Sequence, residues 1–346
     1  MSKRESNYDI LRIIATLAVV LIHVNYHFLE SILYQRDMSL AWVAMSLINI
    51  VTRFSVPCFV MLSGAFQLSN EKNSDIAYFY KKTLVKVIIP ALFIIILSIP
   101  VYIFMNKDNP NVLFDIAERL IAGDYYSFWY IYMLAGLYLM TPFLIRIKRS
   151  ITHRQYVLIS VFLLLWAIVS QAFSKQTMSS SIGVVFAFLG YYILGDVIRQ
   201  HTFKPSVRTL SFVLGCLSVL LTFVFRYMGI DMYLFHPFVA FLSPGIVVFS
   251  ICVFIFFSSI SIKGDYSEIS GITFEIYLLH SIILSVITSY GLEKTMQRKF
   301  SLIVLFVVVV LLSGILGWLF SRLMKKANPS IARVVNNLSF WKLISR

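Results

Sequence analysis

The sequence predicts an all-α integral membrane protein that crosses the bilayer about ten times. Hydrophobic residues make up 59% of the 346 residues and charged residues only 13%, and the mean hydropathy is +0.83, all far from the averages of soluble domains. Apolar runs of membrane length recur along the chain, and no loop between them is long enough for a separate soluble domain. Residues 1–346 are therefore expected to form a single transmembrane domain, with any chemistry among its helices.

Windowed hydrophobicity gives each span in turn. The expected helices lie near residues 10–29, 41–68, 84–105, 127–145, 156–173, 182–198, 209–227, 236–258, 272–290 and 300–322. No removable signal peptide precedes the first span, so that span is expected to be retained. In the second span, Pro57 predicts a kink, and Ser63 and Gly64 predict close helix packing.

Basic residues indicate the orientation. An even number of spans places both termini on one side, and most of the 30 lysines and arginines flank that side. The positive-inside rule makes it cytoplasmic. The net charge of +14 is then interpreted as juxtamembrane charge facing anionic lipid rather than as a nucleic-acid surface. A basic funnel that attracts an anionic cytoplasmic substrate is an alternative, and both interpretations can hold together.

The first span, YDILRIIATLAVVLIHVNYHF, carries Asp9 and Arg12 at its start and His23 well inside it. On one helix Arg12 and His23 are about 16 Å apart along the axis, roughly half the hydrocarbon thickness. If Arg12 lies at the membrane surface, His23 lies near or beyond the midplane, where an ionisable group is costly and indicates function. A neutral imidazole there suits general-base chemistry, although a buried histidine bonded to a neighbouring helix is the alternative.

Arg53 lies in the middle of the second span, and a guanidinium cannot be neutralised by losing its proton. It therefore needs an anion, a carbonyl array or water. Glu275 is the best candidate for an internal partner, if the role of Arg53 is structural. In a functional role, Arg53 would hold a phosphate or stabilise an oxyanion.

The longest outer loop, residues 106–127, leads into aromatic residues that include Trp129 and Tyr130. These rings are interpreted either as an interfacial belt or as a platform for a sugar ring. The ninth span contains Glu275, Tyr277 and His280, of which the last two can share a face. Asp196, Arg226 and His236 lie near predicted helix ends and are interpreted as interfacial.

Several motifs are absent from the sequence. It contains no P-loop, GxGxxG, HExxH or GxSxG motif, which disfavours ATP-driven transport and metallohydrolysis. Cys58, Cys216 and Cys252 lie within apolar runs, so neither a disulfide framework nor a metal site is indicated.

These segments together resemble a known family. YDILRIIATLAVVLIH, with its R-x10-H spacing, resembles the first helix of the membrane-bound acyltransferase 3 family, and RFSVPCFVMLSGAF resembles the second. SFWYIYMLAGLYLMTPFL, GYYILGDVI and ISGITFEIYLLHSIIL are similar to its later segments. The likeness runs in the right order from about residue 8 to residue 290.

The resemblance implies transfer of an acyl group, commonly acetyl, from cytoplasmic acyl-CoA to a hydroxyl of a cell-surface or lipid-linked carbohydrate. By carry-over, Arg12 would help bind the acyl-CoA donor, His23 would be the catalytic histidine, Arg53 would belong to the second-helix motif, and Tyr277 and His280 would be a supporting pair. From their positions, Asp9 is expected to act with Arg12 in donor binding, and Arg53 is expected to be catalytic by stabilising the oxyanion. Glu275 occupies a variable position among these supporting residues, while Trp129 and Tyr130 would face the acceptor. Acetyl-CoA would be a co-substrate, no metal would be required, and the location would be the bacterial cytoplasmic membrane.

Two other functional classes remain open. Ten helices with buried charges also suit a polysaccharide exporter or flippase. A structural partner of a glycan synthase is the third class, and it predicts that Arg12 and His23 can be replaced together without loss of function.

Overall fold

A computed structural model describes residues 5–33, 38–173, 181–229, 240–290, 298–338 and 341 of the chain. Within these residues the secondary structure is helical, with no β-strand. The α-helices in chain order are α1 Ser6–Leu33, α2 Leu40–Thr52, α3 Ser55–Gln67, α4 Ile76–Thr83, α5 Ile89–Met105, α6 Val112–Ala122, α7 Trp129–Ser150, α8 His153–Phe173, α9 Ser181–Arg199, α10 Pro205–Met228, α11 Pro244–Ser258, α12 Ser267–Ser270, α13 Thr273–Ser289 and α14 Arg298–Asn337. Short 3₁₀ turns span Glu71–Ser74 and Ala240–Leu242, and a π-helical turn, Leu84–Ile88, joins α4 to α5.

The predicted fold class is confirmed. Among the described residues, seven helical segments are long and apolar enough to cross a membrane: Ser6–His27, Leu40–Gln67, Ile76–Met105, Trp129–Ser150, His153–Ser170, Pro205–Met228 and Leu302–Asn337. Two shorter apolar helices, Pro244–Ser258 and Thr273–Ser289, coincide with the expected eighth and ninth spans. The exact number of ten crossings stays a prediction.

The second expected span is interrupted in its middle. Helix α2 ends at Thr52, Arg53 and Phe54 form a turn, and α3 begins at Ser55. The ring of a proline clashes with the carbonyl four residues earlier, and for Pro57 that carbonyl belongs to Arg53. The kink predicted at Pro57 is therefore a full break at Arg53.

The chain divides into two compact units. The first comprises Met1–Phe66 and His153–Thr273, and the second comprises Gln67–Thr152 and Phe274–Arg346. In the first unit the closest helix pairs are α10 with α11, α8 with α9, and α1 with α2.

Two glycines set the packing of α3 on α9 within the first unit. A Cβ atom at Gly64 would lie 1.7 Å from the Tyr192 carbonyl oxygen, and one at Gly195 would lie 2.0 Å from the Met61 carbonyl oxygen. The close packing predicted for Gly64 is confirmed, and the backbones touch because neither glycine has a side chain.

In the second unit a polar cluster fixes the turn before α4. Asn73 Nδ2 donates to the Gln67 carbonyl at 2.8 Å, and Lys82 Nζ donates to Gln67 Oε1 and Asn73 Oδ1, both at 3.2 Å. Arg149 of α7 pairs with Glu71 of the same turn. These bonds hold residues 67–75 against α4 and α7.

Two regions extend beyond the sequence prediction. Helix α6 forms inside the expected outer loop and exposes Leu113, Phe114 and Ile121 along one face. Helix α14 continues past the expected end at residue 322 to Asn337, carrying Lys325 and Lys326 beyond the apolar run. The apolar pattern predicts where a span lies but not the residue at which its helix ends, because a helix can continue past the apolar run.

Candidate active site

The first candidate feature is one face of α1. Arg12 and His23 lie on the same uninterrupted helix, Ser6–Leu33. Eleven residues make just over three turns at 3.6 residues per turn, so the two side chains point to the same side about 16 Å apart. Both are half-buried, which leaves each with access to a ligand.

At the start of α1, Asp9, Arg12 and Ser270 form a closed triangle of hydrogen bonds. Arg12 Nη1 lies 3.3 Å from Asp9 Oδ1 and donates to Ser270 Oγ at 2.9 Å. Ser270 Oγ in turn donates to Asp9 Oδ1 at 2.6 Å. Asp9 is buried while the Arg12 side chain keeps 28% of its exposure, so the carboxylate orients a guanidinium that is still accessible.

A second arginine lies beside this triangle. Arg199, at the end of α9, donates from Nη1 to the Ala65 carbonyl at 3.0 Å and pairs with Glu5 at 2.8 Å. Its Cζ lies 4.4 Å from the centre of the Phe66 ring, and the Arg12 Cζ lies 5.7 Å from the same centre. Two guanidinium groups therefore meet at one aromatic ring.

From the sequence, Arg199 is one of many basic residues expected beside the membrane, and Ser270 has no predicted role. A lone serine in a loop carries no signal in the sequence. The position of Arg199 directly after the GYYILGDVI segment was the only indication that it lies near the motif residues.

The break between α2 and α3 holds Arg53. This side chain is 5% exposed, its Nε donates to Asn49 Oδ1 at 3.3 Å, and its Cζ lies 5.1 Å from the centre of the Phe241 ring. The Tyr26 hydroxyl of α1 lies within electrostatic range. Because Tyr26 is three residues from His23, it connects the histidine face of α1 with the helix break.

The break also presents the N-terminus of α3. The first N–H groups of a helix have no partner within the helix, and their dipoles favour a negative charge. Ser55, at this N-terminus, is completely buried, and its Oγ makes no hydrogen bond to the described residues. Arg53, Ser55 and the helix end together provide donors where a negative charge would otherwise be costly.

One buried amide connects α1 with α2, about two turns before the break. Asn25 is fully buried, and its Nδ2 donates to the Met45 carbonyl at 3.0 Å. His23 and Arg53 are therefore held by helices whose relative position is set by a buried hydrogen bond.

The remaining predicted residues lie in the second unit. Tyr277 Oη donates to the Ser127 carbonyl, and the Tyr277 ring lies 5.1 Å from that of Tyr130 and 5.6 Å from that of His280. The shared face predicted for Tyr277 and His280 is confirmed. Trp129 contacts Tyr130 edge-on at 6.4 Å.

His280 is fully buried in this unit. Its Nδ1 donates to the Tyr277 carbonyl at 2.6 Å, which holds the ring in one orientation. Tyr130 is also buried, against Tyr277, so its ring does not present an open face. The supporting role of the pair and the acceptor-facing role of Trp129 and Tyr130 stay predictions.

Glu275 packs away from its neighbours in the motif. A Cβ atom at Gly317 of α14 would lie 3.2 Å from Glu275 Cβ, and Ser321 and Lys325 of the same helix lie nearby. Glu275 belongs to the second unit and Arg53 to the first, so their pairing also stays a prediction.

The interfacial interpretation of two charged residues is wrong. Asp196 is fully buried and accepts a hydrogen bond from Tyr156 Oη at 3.1 Å, and Arg226 is 4% exposed. Charge near a helix end is tolerated at the membrane surface, but here the neighbouring helices cover both side chains. His236 lies outside the described residues.

Comparison with known proteins identifies the family of the chain. The acyltransferase domain of the acyltransferase 3 family matches residues 5–322 of the 346. The match covers the α1 face, the helix break at Arg53, and the Tyr277 and His280 pair. Searches among curated proteins and among solved structures gave no significant match. The chain therefore belongs to the acyltransferase 3 family and is a membrane acyltransferase.

Proposed function

We propose that the protein transfers an acetyl or other short acyl group from cytoplasmic acyl-CoA to a hydroxyl group of a cell-surface or lipid-linked carbohydrate. The observation that carries the proposal is the single face of α1 that bears Arg12 and His23 about 16 Å apart. A reaction between a charged donor on one side of a membrane and an acceptor on the other requires an anion-binding group at the surface and a base in the interior.

The donor end is formed by Arg12 and Arg199. With the termini in the cytoplasm, these guanidinium groups lie at the cytoplasmic surface of the membrane. The phosphates of CoA remain at this surface, because they are too polar to enter the hydrocarbon. Arginine binds phosphate through two parallel hydrogen bonds, and a half-buried guanidinium already oriented by Asp9 loses little freedom on binding. The uncharged acyl arm then extends along α1 toward His23.

His23 and Arg53 carry out the transfer. His23 accepts the proton of the acceptor hydroxyl, and that oxygen attacks the thioester carbonyl carbon. Negative charge develops on the carbonyl oxygen, where Arg53, Ser55 and the N-terminus of α3 stabilise it. The carbon–sulfur bond breaks, the acyl group stays on the acceptor oxygen, and the CoA sulfur leaves and takes up the proton. A route in which His23 itself carries the acyl group uses the same residues.

The location follows from the same assignment. An acyl-CoA donor in the cytoplasm and a carbohydrate outside require the plasma membrane, in a bacterium the cytoplasmic membrane. The basic juxtamembrane residues face anionic lipid on the cytoplasmic side.

The test uses membranes that contain the protein, acetyl-CoA labelled in its acetyl group, and glycan extracted from the source cell. We expect label in the glycan only when the protein is present. Arg12→Gln should raise the KM for acetyl-CoA about tenfold or more, since it removes charge-assisted bonds to phosphate. Arg119→Gln is the matched control, because Arg119 is an arginine of the outer helix α6. Glycan export without acyl-CoA consumption would contradict the proposal and favour the exporter.

A further inference from the structure

A stripe of buried side chains runs along α2 toward the helix break. Trp42, Ser46, Asn49 and Arg53 are spaced by four, three and four residues, so they occupy one face of the helix. Their exposures are 1%, 0%, 2% and 5%. A buried face that carries an indole N–H, a hydroxyl, an amide and a guanidinium differs from the apolar seam usual between helices.

A second buried arginine completes this stripe. Arg226, from α10, is 4% exposed, and its Cζ lies 5.9 Å from the centre of the Trp42 ring. Arg226 is also within electrostatic range of Arg53. A guanidinium has five donors and can bind an anion alongside its protein contacts, and two such groups close together attract negative charge.

Two atoms of the stripe indicate a ligand. Trp42 Nε1 and Ser46 Oγ are buried and make no hydrogen bond to the described residues. Buried polar atoms are almost always paired, so each indicates a partner that the described residues do not supply. Two exposed tyrosines lie at the rim of the stripe. Tyr227 is 50% exposed, and its ring lies 6.3 Å from that of Trp42. Tyr26 is 44% exposed and lies near Arg53.

We propose that Arg226, Trp42 and Ser46, at the end of the stripe away from the helix break, bind an anionic group, a carboxylate or a phosphate, that is carried by the carbohydrate acceptor. This inference rests on the proposed acyl transfer for the identity of the acceptor, but not for the binding itself. Trp42 donates through its indole N–H, Ser46 through its hydroxyl, and the Arg226 guanidinium holds the charge. The stripe therefore selects acidic carbohydrates over neutral ones.

The place of the stripe fits this role. Tyr26, at its rim, is one helical turn from His23 on α1, and Arg53, at its inner end, is the residue proposed to stabilise the oxyanion. An acceptor anchored by its charge at Arg226 thus has its remaining groups directed toward the reacting residues.

The experiment measures binding without acyl-CoA, so it does not depend on transfer. Purified full-length protein in nanodiscs of neutral phosphatidylcholine is titrated with methyl glucuronide and with methyl glucoside, which differ by the carboxylate. Tryptophan fluorescence reports the binding. We expect a saturable change with the glucuronide alone, which disappears in Trp42→Phe and shifts to about tenfold or higher concentration in Arg226→Gln. Arg119→Gln should behave as the wild type.

Three results would overturn the inference. The first is equal binding of the charged and the neutral sugar. The second is a glucuronide response that persists in Trp42→Phe, because binding would then lie elsewhere, and this variant keeps the inference testable if Arg226→Gln does not fold. The third is loss of the response when phosphatidylglycerol is added to the nanodiscs, which would assign the site to a lipid headgroup. Sugar binding with no acetyl transfer would support this inference while contradicting the proposed function.

Discussion

The two units each contain a buried or half-buried histidine in a membrane helix, and their surroundings differ. His23 in the first unit is half-buried, shares a helix face with Arg12, and lies one turn from Tyr26 near the Arg53 break. His280 in the second unit is fully buried, and its Nδ1 donates to the carbonyl of Tyr277.

The difference in burial and neighbours distinguishes a histidine suited to act as a general base from one suited to a structural role. A general base must reach its substrate, and its neighbours must stabilise the charge that develops in the reaction. His23 meets the first condition, since it is half-buried, and Tyr26, one turn away on the same helix, lies near Arg53. His280 is fully buried beside the Tyr277 ring, which suits a residue that holds its own unit together. A histidine is rare in a membrane span, so its presence indicates a functional or structural role. Its burial and its neighbours then indicate which of the two roles it has.

The largest effect is expected at Arg53. Arg53→Lys keeps the charge but loses the planar fork of donors, so we expect acetyl transfer to fall about 10²–10³-fold with the protein still folded. Label transfer from acetyl-CoA, together with elution as a single species in size-exclusion chromatography, measures this. Near-normal transfer by folded Arg53→Lys would mean that the first unit does not stabilise the oxyanion through this residue.

Gly64→Ala tests whether the break is held by packing. The added methyl would meet the Tyr192 carbonyl oxygen 1.7 Å away, and backbone cannot move aside as a side chain can. We expect a loss of about 1–3 kcal/mol in stability and reduced transfer. Gly314→Ala is the control, because nothing lies within 4 Å of a Cβ atom at Gly314. Equal melting temperatures for both variants would contradict the packing described for α3 and α9.

Tyr277→Phe tests the structural character of the second unit. It removes the bond to the Ser127 carbonyl and leaves that buried oxygen without its donor, which should cost about 1–2 kcal/mol. We expect a lower melting temperature but a KM for acetyl-CoA like that of the wild type. Tyr290→Phe, an exposed tyrosine just after the same helix, should change neither. A large loss of transfer at unchanged stability would place Tyr277 in the reaction instead.

The smallest effect is expected on α6. The pKa of the Asp115 carboxyl lies below its usual 3.8. The largest cause is the hydrogen bond from Tyr102, the Arg119 guanidinium also lowers this pKa, and desolvation opposes both. Because the folded state favours the carboxylate, this contribution is present at pH values above the unfolded pKa and is lost as the pH falls through the lowered folded one.

Asp115→Asn should therefore lower the protection of α6 amides against hydrogen exchange near neutral pH. The difference from the wild type should shrink as the pH falls below the folded-state pKa. Exchange rates corrected for their intrinsic pH dependence measure this. A difference independent of pH would show that the carboxylate charge is not what stabilises α6.

The sequence allowed much of the first unit to be predicted, because its signals are local. A membrane-length apolar run with Arg12 and His23 defines α1, and Pro57 defines the break at Arg53. The residues that escaped prediction depend on contacts far apart in the chain. Ser270 lies 261 residues from Asp9, and nothing in its own segment indicates that it closes the triangle with Arg12.

The burial of two charged side chains, Asp196 and Arg226, also could not be predicted from the sequence. Asp196 and Arg226 lie near the ends of apolar runs, and a charge at such a position is usually solvated. Only the packing of α8, α9, α10 and α2 shows that these two are covered, and that Arg226 lies over Trp42.

The central claim is that His23 is the base of the transfer, and one measurement tests it most directly. Membranes containing wild-type, His23→Ala or His27→Ala protein are supplied with labelled acetyl-CoA and glycan, and label in the glycan is counted. His27 is the matched control, an exposed histidine one turn further along the same helix. The account predicts a loss of about 10²-fold or more in folded His23→Ala and near-normal transfer in His27→Ala. Full transfer by folded His23→Ala would contradict it.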